Sequence, residues 1–358
     1  MKHIVCFHLF NDYSGSPKVL KTVLEGLLAK GYRVDLISSR GGILDELSHP
    51  GLRRRFSYRY RFSTNPAVTM FRYTLVQVYT FLVSLRYLFD KDAVFYINTI
   101  LPAGPATAGW LMRKKVVYHY HENAFVKGAF YRMLAWWMQK MADRIVCVSA
   151  YQASFLKRKD GITVVPNALP KEFADRLRPN AEEAFARKTV LMLSSLKAYK
   201  GTREFIQLAA DMPQYQFVLV VNDTQENVNN YLKPKFTPPN LTVYSRQQNV
   251  ERFYHAATVV VCLTNRHLAI ETFGMTTLEA MSCGLPVIVP TVGGITELVS
   301  DSENGFKIDV QDLDKIKQCI ADLMTNHELY ARLSANALIE SQKHSAGCMI
   351  NTISTLID

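Results

Sequence analysis

The sequence predicts an α/β protein built from two doubly wound parallel sheets that face a central cleft. Its 358 residues exceed what one hydrophobic core usually supports, so two domains are expected. Short apolar runs alternate with longer helical patterns almost throughout, which is the rhythm of parallel sheets with crossover helices. A content of 48% hydrophobic and 20% charged residues is typical of folded domains rather than disordered chains.

The first Rossmann-like domain is expected to cover residues 1–167. Its first predicted strand, HIVCFHLF, precedes a helix that carries Pro17 in its first turn and ends at Gly31. The later predicted strands are YRVDLISS, AVFYINTI, KVVYHYHE, RIVCVSA and ITVVPNA. The polar, proline-bearing residues 168–188 then resemble a linker.

The second Rossmann-like domain is expected to cover residues 168–340. Its predicted strands are TVLMLSSL, QFVLVVN, LTVYS, TVVVCLT, PVIVP and GFKID. The final helical stretch, about residues 341–358, is expected to pack back on the first domain. In such sheets ligands bind at the carboxyl ends of the strands, so the cleft is the expected ligand site.

The charge and the cysteines limit the partners and the compartment. Residues 1–167 hold 24 lysines and arginines against 10 acidic residues, whereas the remainder holds 18 against 21. The basic half should therefore meet something anionic. Six scattered cysteines form no disulfide framework or CxxC metal pattern, which indicates buried thiols in a reducing, cytoplasmic compartment.

Basic and aromatic residues alternate in LRRRFSYRYRF, residues 52–62, and RKK at 113–115 adds further charge. The adjoining segment Val68–Phe89 has only thirteen residues between Arg72 and Arg86, fewer than the roughly 20 that a membrane span needs. Three interpretations stay open: a solvated face, an anionic membrane surface or lipid-diphosphate acceptor, and nucleic acid. No recognised nucleic-acid motif accompanies the charge, so nucleic acid is not predicted as a partner.

The stretch ETFGMTTLEAMSCGLPVIVP carries the chemistry of the second domain. Gly284 and Pro286 are helix stop signals, so a helix is predicted to end there. Its start is predicted near Gly274–Met275. Open amides at its start can hold a phosphate: Met275, Thr276 and Thr277. Carboxylates repel phosphate, so Glu271 and Glu279 should bind hydroxyls beside it, as in a nucleotide-sugar. The alternative is that both are ordinary exposed glutamates, since their spacing is common.

This element resembles the signature of glycosyltransferase family 4, the retaining enzymes of the GT-B fold. Further similar stretches are PTVGGITELVSDSENGFKI, ADRIVCVSAYQASFLKRK, VVPNAL and NVERFYHAATVVVCLT. The resemblance runs from about Val116 to Lys307, and residues 1–115 match mainly in pattern. It implies that Glu271 contacts the donor sugar, that Glu279 contacts the ribose, and that the amides of residues 274–277 hold the diphosphate.

The family's basic element GRLxxxKG corresponds here to SSLKAYKG, residues 194–201. Lys200 matches the family lysine, whereas Ser195 stands where the family has an arginine. Lys197 could supply the second charge, although a lysine lacks the planar guanidinium. The alternative is that both lysines are solvated loop residues.

In the first domain, His119 and His121 lie at strand spacing and therefore on one face. A metal site is weighed here, but a third well-spaced ligand is not evident. The resemblance instead matches His121 and Glu122 to the family's His-Asp pair, which faces the donor sugar across the cleft. A satisfied structural histidine is the alternative, and His119 is expected to be structural.

The expected catalytic residues are His121, Lys200 and Glu271. The expected donor-binding residues are Gly15, Ser16, Lys197, Lys200, Arg246, Glu271, Phe273, Gly274, Met275, Thr276, Thr277 and Glu279. No metal and no cofactor besides the donor are expected. The acidic motif at 90–92 precedes a strand, so it lies at the amino end of its sheet, away from the expected ligand site. The acidic motif at 312–314 starts a helix, where acids commonly complement the helix dipole. Neither motif is therefore expected to hold a metal.

The resulting hypothesis is a metal-independent, retaining glycosyltransferase, hexosyltransferase-like, that uses a UDP- or GDP-sugar. Its acceptor would be a glycan or lipid-linked molecule of bacterial surface polysaccharide, and the enzyme would be cytoplasmic or peripheral on the inner face of the cytoplasmic membrane. Two alternatives remain: a non-catalytic GT-B scaffold docking on an anionic membrane or nucleic acid, and a nucleotide-sugar epimerase.

Overall fold

The computed structural model describes residues 2–233 and 237–358. These residues form two compact units, the first made of Met1–Asn167 with Ala346–Asp358 and the second of Ala168–Ser345. Each unit contains one parallel sheet with helical crossovers. The predicted α/β class with two doubly wound sheets is confirmed.

Unit 1 contains a seven-stranded parallel sheet in the order β3-β2-β1-β4-β5-β6-β7. Its elements are β1 (His3–His8), α1 (Gly15–Ala29), β2 (Arg33–Ser39), β3 (Leu52–Tyr58), α2 (Pro66–Ser84), β4 (Ala93–Asn98), α3 (Ala103–Leu111), β5 (Lys115–Tyr120), α4 (Ala129–Met141), β6 (Arg144–Cys147), α5 (Ala150–Ser154) and β7 (Ile162–Val164). The central strands β1 and β4 bury every residue, as expected for a parallel sheet covered on both faces. The strand order reverses between them, so their carboxyl ends mark the topological switch point.

Unit 2 contains a six-stranded parallel sheet in the order β10-β9-β8-β11-β12-β13. Its elements are α6 (Lys171–Ala174), α7 (Ala181–Arg187), β8 (Thr189–Ser194), α8 (Thr202–Asp211), β9 (Gln216–Val221), α9 (Gln225–Leu232), β10 (Leu241–Tyr244), α10 (Glu251–His255), β11 (Val259–Val261), α11 (Met275–Ser282), β12 (Val287–Val289), β13 (Gly305–Lys307), α12 (Leu313–Thr325) and α13 (His327–Gln342). Here the switch point lies between β8 and β11.

The last helix, α14 (Ala346–Ile357), belongs to unit 1 and packs on α1. Gly26 permits this packing, because a Cβ there would lie 2.1 Å from Ile350 Cδ1. Tyr32 donates its hydroxyl to Asp358 Oδ2 at 2.8 Å, and Lys115 donates to the Ile357 carbonyl at 3.0 Å. Unit 1 therefore includes the end of the chain from residue 346 rather than from about residue 341.

Two segments differ from the expectation. Residues 168–188 were expected to be a linker, but they form α6 and α7 inside unit 2, where Ala184 is buried and accepts the Thr258 hydroxyl at 2.6 Å. The basic run at 52–62 begins with the unpredicted strand β3, which lies at the edge of the sheet. In both cases the polar composition of the segment hides the few apolar side chains that pack it against the rest of its unit.

Among the described residues, one helix, Pro66–Tyr87, is long and apolar enough to cross a membrane by length and composition, with a mean hydropathy of 1.2. It packs closely on α3, where a Cβ on Gly104 would lie 2.2 Å from the Gln77 carbonyl oxygen. The six cysteines are free thiols, of which four are buried. Cys348 is exposed, so the expectation of buried thiols was wrong for that residue.

Candidate active site

The carboxyl ends of β8 and β11 carry the residues that were expected to bind the donor. After β8 the chain passes through a 3-10 turn, Ala198–Lys200, into α8. Gly201 makes this turn possible: its φ is 74°, and a Cβ there would lie 2.2 Å from the Leu263 carbonyl oxygen. This close approach holds Lys200 beside the segment that follows β11.

Lys200 and Glu271 form a half-buried ion pair. The Lys200 ammonium contacts Glu271 Oε1, and the Thr264 hydroxyl donates to the same oxygen at 2.6 Å. Burial favours a higher pKa for Glu271, but Lys200 and Thr264 outweigh it, so the pKa of this carboxyl is lowered. Burial favours a lower pKa for Lys200, but Glu271 outweighs it, so that pKa is raised. Both groups are therefore charged at neutral pH.

The amino end of α11 is open next to this pair. Gly274 precedes the helix with a φ of 102°, and a Cβ there would collide with Ile295 at 2.6 Å. The Thr277 amide donates to the Gly274 carbonyl at 3.1 Å, so the expectation that this amide is open was wrong, because the tight first turn uses it. The amides of Met275 and Thr276 precede that bond and can hold an anion.

Glu279, one turn inside α11, is oriented by a buried tyrosine. The Tyr254 hydroxyl donates to Glu279 Oε2. Burial, reinforced by the Glu279 carboxylate, raises the pKa of Tyr254 well above its ordinary value. Tyr254 therefore stays protonated at neutral pH and fixes the direction of the carboxylate.

Three other predicted donor residues occupy different positions. Phe273 is buried, and its ring meets the His344 ring edge-on with centroids 5.8 Å apart, so it packs the loop from inside. Lys197 is exposed and adds to the positive potential that lowers the pKa of Glu271. Arg246, beyond β10, donates to Asn222 Oδ1 at 2.8 Å, which ties it to the end of β9, the strand beside β8.

In unit 1, three histidines cluster at the carboxyl ends of β1 and β5. His8 Nε2 lies 2.9 Å from the Phe10 carbonyl oxygen and must donate to it, so His8 Nδ1 accepts from Asn98 Nδ2 at 3.0 Å. Asn98 Oδ1 then accepts from His121 Nε2 at 3.0 Å. His121 therefore carries its proton on Nε2 and presents Nδ1 as an acceptor. The His119 and His121 rings are 4.1 Å apart, on the shared face that strand spacing indicated.

These histidines are neutral. Burial lowers the pKa of His8 to about 4 and that of His119 to about 3. Burial, together with the two neighbouring histidines, lowers the pKa of His121 well below its ordinary value. His119 Nδ1 lies 2.8 Å from the Tyr96 hydroxyl, in a fully buried position, which fits the structural role expected for it.

Glu122, Gly15 and Ser16 complete the predicted residues of unit 1. Glu122 Oε2 accepts the Ile100 amide at 3.2 Å, and burial raises the pKa of this carboxyl. Gly15 and Ser16 begin α1, just after the carboxyl end of β1. Gly15 is exposed and has open space around it, so a ligand could approach the backbone there.

The two acidic motifs lie where the sequence indicated. Asp90 accepts from His3 Nδ1 at 2.7 Å, at the amino ends of β1 and β4. Asp312 caps α12 by accepting the Lys315 amide at 3.1 Å. Across residues 2–233 and 237–358, no group of three His, Cys, Asp or Glu side chains is placed to hold a metal ion.

Four residues that orient predicted groups were missed by sequence reasoning: His8, Asn98, Tyr254 and Thr264. His8 and Asn98 are the last residues of β1 and β4, and Thr264 follows β11 closely. A polar residue that closes an apolar strand at a switch point is therefore a usable signal. Tyr254 gives no such signal, because it lies on α10 and looks like a core residue.

Comparisons with known proteins show the family of the chain. The family model described as Glycosyl transferases group 1 matches residues 160–339, and the model described as Glycosyltransferase Family 4 matches residues 13–173. A curated relative, an uncharacterized glycosyltransferase of Haemophilus influenzae, is 26% identical over 163 residues, which cover 44% of this chain and 45% of the relative. The N-acetyl-alpha-D-glucosaminyl L-malate synthase of Bacillus anthracis is 24% identical over 154 residues, covering 42% and 39%. The chain thus matches less than half the length of these two relatives.

Solved structures share the whole fold. HepE from Anabaena, determined with UDP and glucose, has a TM-score of 0.74 at 20% identity, covering 99% of both chains. Sucrose-phosphate synthase from Thermosynechococcus elongatus has a TM-score of 0.79 at 17% identity, covering 99% of this chain and 98% of that one. The two parallel sheets therefore have the GT-B fold of these solved structures. The chain belongs to glycosyltransferase family 4. It is therefore an enzyme, and the non-catalytic alternative has no support.

Proposed function

We propose that this enzyme transfers a sugar from a UDP- or GDP-sugar to a glycan or lipid-linked acceptor, with retention of anomeric configuration and without a metal. The observation that carries the proposal is the Lys200–Glu271 ion pair beside the open amides of α11. The binding of UDP and UDP-glucose by the Anabaena protein HepE supports a nucleotide-sugar donor.

The leaving group determines what the site must do. As the bond between the anomeric carbon and the diphosphate oxygen breaks, a bond would form to the acceptor oxygen on the same face of the sugar, and the acceptor proton would pass to the departing diphosphate oxygen. Negative charge grows on the departing diphosphate. Lys200 and the amides of Met275 and Thr276 would neutralise that charge, a role in which preorganised donors are most effective.

The carboxylates would bind the two polyhydroxylated rings. Without a donor, Glu271 neutralises Lys200, and its Oε1 also accepts from Thr264. When a diphosphate takes Lys200 as its partner, the carboxylate can instead accept a hydroxyl of the donor sugar while Thr264 keeps it in place. Glu279, oriented by Tyr254, would accept a ribose hydroxyl.

The neutral histidines of unit 1 suit a sugar rather than a phosphate. His121 Nδ1 is an acceptor because Asn98 takes the proton on Nε2. We infer that it accepts a hydrogen bond from a substrate hydroxyl. A protonated imidazole could not accept such a bond, so the lowered pKa of His121 is part of its function.

The acceptor and the location are proposed from one solved structure and from the charge of the chain. The solved structure of WaaG, described as a glycosyltransferase involved in lipopolysaccharide biosynthesis, has a TM-score of 0.71 at 15% identity. The basic first half of the chain favours an anionic acceptor. We propose a role in bacterial surface polysaccharide synthesis, in the cytoplasm or on the inner face of the cytoplasmic membrane.

A product assay tests the proposal. A panel of UDP- and GDP-sugars is first screened for thermal stabilisation of the enzyme, because a bound donor raises the apparent stability. The stabilising donor is then incubated with candidate acceptors, and the anomeric configuration of the product is read by NMR. Lys200→Ala should abolish transfer and Glu279→Ala should raise the KM for the donor, whereas the exposed control Lys157→Ala should change neither. Release of an epimeric sugar nucleotide without an acceptor would instead establish the epimerase alternative.

A further inference from the structure

Helix α2 (Pro66–Ser84) has one face that is packed and satisfied. Its buried residues are Tyr73, Val76, Thr80, Val83 and Ser84. Tyr73 donates its hydroxyl to the Leu101 carbonyl at 2.8 Å. The hydroxyls of Thr80 and Ser84 donate to carbonyls of their own helix at 2.8 and 2.7 Å. This face holds the helix on unit 1.

The opposite face of α2 is apolar and exposed. Large apolar side chains follow one another at intervals of three and four residues: Phe71, Leu75, Val78 and Leu82, with Leu85, Leu88 and Phe89 beyond the helix end. This spacing places the four helical residues on one side of the helix. Phe71 is 64% exposed and Phe89 is 91% exposed. A contiguous apolar surface of this kind marks an interaction site.

The surroundings of this apolar stripe are positively charged. Residues 47–89 contain seven arginines and no lysine, aspartate or glutamate. Six of the arginines are exposed: Arg53, Arg54, Arg59, Arg61, Arg72 and Arg86. Arg72 donates to the Arg61 carbonyl at 3.1 Å, and the Arg86 guanidinium lies 5.6 Å from the centre of the Phe56 ring. Arg72 and Arg86 thus lie near the two ends of the stripe.

We propose that this surface docks on an anionic membrane, with α2 lying in the plane of the interface. The α2 face is defined here as Phe71, Leu75, Val78, Leu82 and Phe89 with the exposed arginines Arg54, Arg59, Arg61, Arg72 and Arg86. Its apolar side chains would enter the boundary between headgroups and acyl chains, and its arginines would bind lipid phosphates. Docking does not depend on the transferase reaction, but its use in reaching a lipid-linked acceptor rests on the proposed function.

Charge selects the membrane over a second copy of the chain. A symmetric pairing through the α2 face would bring one set of arginines against another without any acidic residue of this segment to offset them. A lipid surface with negative headgroups matches both the apolar stripe and the guanidinium groups.

The short distance between Arg72 and Arg86 favours a helix that lies in the plane of the membrane over one that spans it. Arg72 and Arg86 are about 21 Å apart along a helix that rises about 1.5 Å per residue, which is short of the roughly 30 Å hydrocarbon core. Spanning would also expose the bonded, packed face of α2 to lipid and remove it from unit 1.

Sedimentation of the full-length enzyme with lipid vesicles tests the proposal. Vesicles of phosphatidylcholine alone are compared with vesicles that also contain about 30% phosphatidylglycerol, at salt concentrations from about 0.05 to about 0.5 M. We expect binding to the anionic vesicles that weakens as salt rises. Leu75→Gln/Leu82→Gln should weaken it about tenfold or more, because each buried leucine contributes substantially to interfacial binding. Arg59→Gln/Arg61→Gln should remove much of the salt dependence.

Matched controls separate the site from general effects. Leu111→Gln/Ile339→Gln removes two apolar side chains that are exposed to a similar extent, 58% and 59%, against 53% and 58% for Leu75 and Leu82. Lys157→Gln/Arg203→Gln removes two exposed charges that are not part of the α2 face. Both control pairs should sediment with anionic vesicles as the parent enzyme does, and all variants should retain the parent's thermal unfolding temperature.

Several results would overturn docking. One is that the parent enzyme does not sediment with vesicles, and another is that Leu75→Gln/Leu82→Gln sediments as the parent does. A third is equal binding to neutral and anionic vesicles. A fourth is resistance of the bound enzyme to alkaline extraction, which would indicate a spanning helix. Dimerisation that Leu75→Gln/Leu82→Gln abolishes would identify a second copy as the occupant. Donor hydrolysis measured without vesicles reports the proposed function separately, so either proposal can fail alone.

Discussion

The carboxyl ends of the two sheets occupy the same place in their topology but carry opposite chemistry. At the switch point of unit 2, Lys200 and Glu271 are both charged, beside the open start of α11. At the switch point of unit 1, His8, Asn98 and His121 form a neutral chain of hydrogen bonds. One architecture thus supports a charged site and a neutral one, and the residues that follow the strands decide which.

Burial explains the difference. A buried charge persists only when it has a partner, and Lys200 and Glu271 partner each other. The histidines have amide, carbonyl and hydroxyl partners instead of a carboxylate, so desolvation lowers their pKa values and removes their charge. The predictions below exchange or remove these partners, beginning with the largest expected effect.

Removing the positive charge of unit 2 should have the largest effect. In Lys200→Met the departing diphosphate loses its lysine and Glu271 loses its counter-ion. We expect kcat to fall about 100-fold to 1000-fold, the usual cost of deleting one preorganised charge-stabilising group. Steady-state kinetics at saturating donor would measure it. A kcat within threefold of the parent value would show that Lys200 does not act on the leaving group, provided that thermal unfolding is unchanged.

Introducing a negative charge into the neutral hydrogen-bond chain of unit 1 should make activity depend on pH. In Asn98→Asp a carboxylate faces His121 Nε2 and raises the pKa of the imidazole, so the ring gains a proton as the pH falls and loses its acceptor at Nδ1. We expect kcat/KM to drop about tenfold at pH 6 and to recover toward pH 9. In the parent enzyme, kcat/KM should not show this additional drop at pH 6. Parallel profiles for the two enzymes would contradict the positioning role of Asn98.

The neutral histidines should also make folding sensitive to acid. Their folded pKa values lie below the unfolded value of about 6.5, so the unfolded chain binds more protons and stability falls as pH drops below that value. Urea unfolding of the parent and of His119→Phe between pH 7.5 and pH 4.5 would test this. The variant should lose less stability across that range. Taking the difference between the two proteins cancels other titrating groups, such as His3, whose raised pKa acts in the opposite direction.

Removing the orienting hydroxyl of Tyr254 should have a moderate effect. Tyr254→Phe leaves Glu279 in place but without its buried donor. Because Glu279 is proposed to hold the ribose in both ground and transition states, KM for the donor should rise about fivefold while kcat changes little. Glu279→Gln should do more. An unchanged KM in Tyr254→Phe would mean that the hydroxyl does not orient the carboxylate.

The smallest effect is expected at Lys197. Its side chain is exposed, so solvent screens its charge more than that of Lys200. Lys197→Gln should lower kcat about twofold to threefold, and the loss should shrink at high salt. A loss as large as that of Lys200→Met would indicate that Lys197 replaces the family arginine, whose position Ser195 occupies in this chain.

Much of the fold and part of the site could be predicted from the sequence because their signals are local. Apolar runs between helical patterns indicated every strand of both sheets except β3. The single segment 271–290 indicated Glu271, Glu279 and the helix start. The Thr277 amide was predicted wrongly, because whether a first turn closes on its own carbonyl depends on backbone geometry that residue types do not specify.

The missed residues depend on contacts between distant parts of the chain. Asn98 orients His121 and bonds His8, which is 90 residues away in sequence. Tyr254 acts on Glu279 only because α10 and α11 pack in the same unit. No periodicity or spacing encodes such pairs in one sequence, so they emerge only when the sheets are assembled.

The most direct test of the charged site is calorimetric binding of UDP, UMP and uridine, with the guanosine series in parallel. If Lys200 and the α11 amides hold the diphosphate, UDP or GDP should bind at least about 100-fold more tightly than its nucleoside, a difference of roughly 2.7 kcal/mol. Lys200→Met should remove most of that difference while nucleoside binding stays unchanged. Equal preference for the diphosphate in the parent and in Lys200→Met would contradict the account.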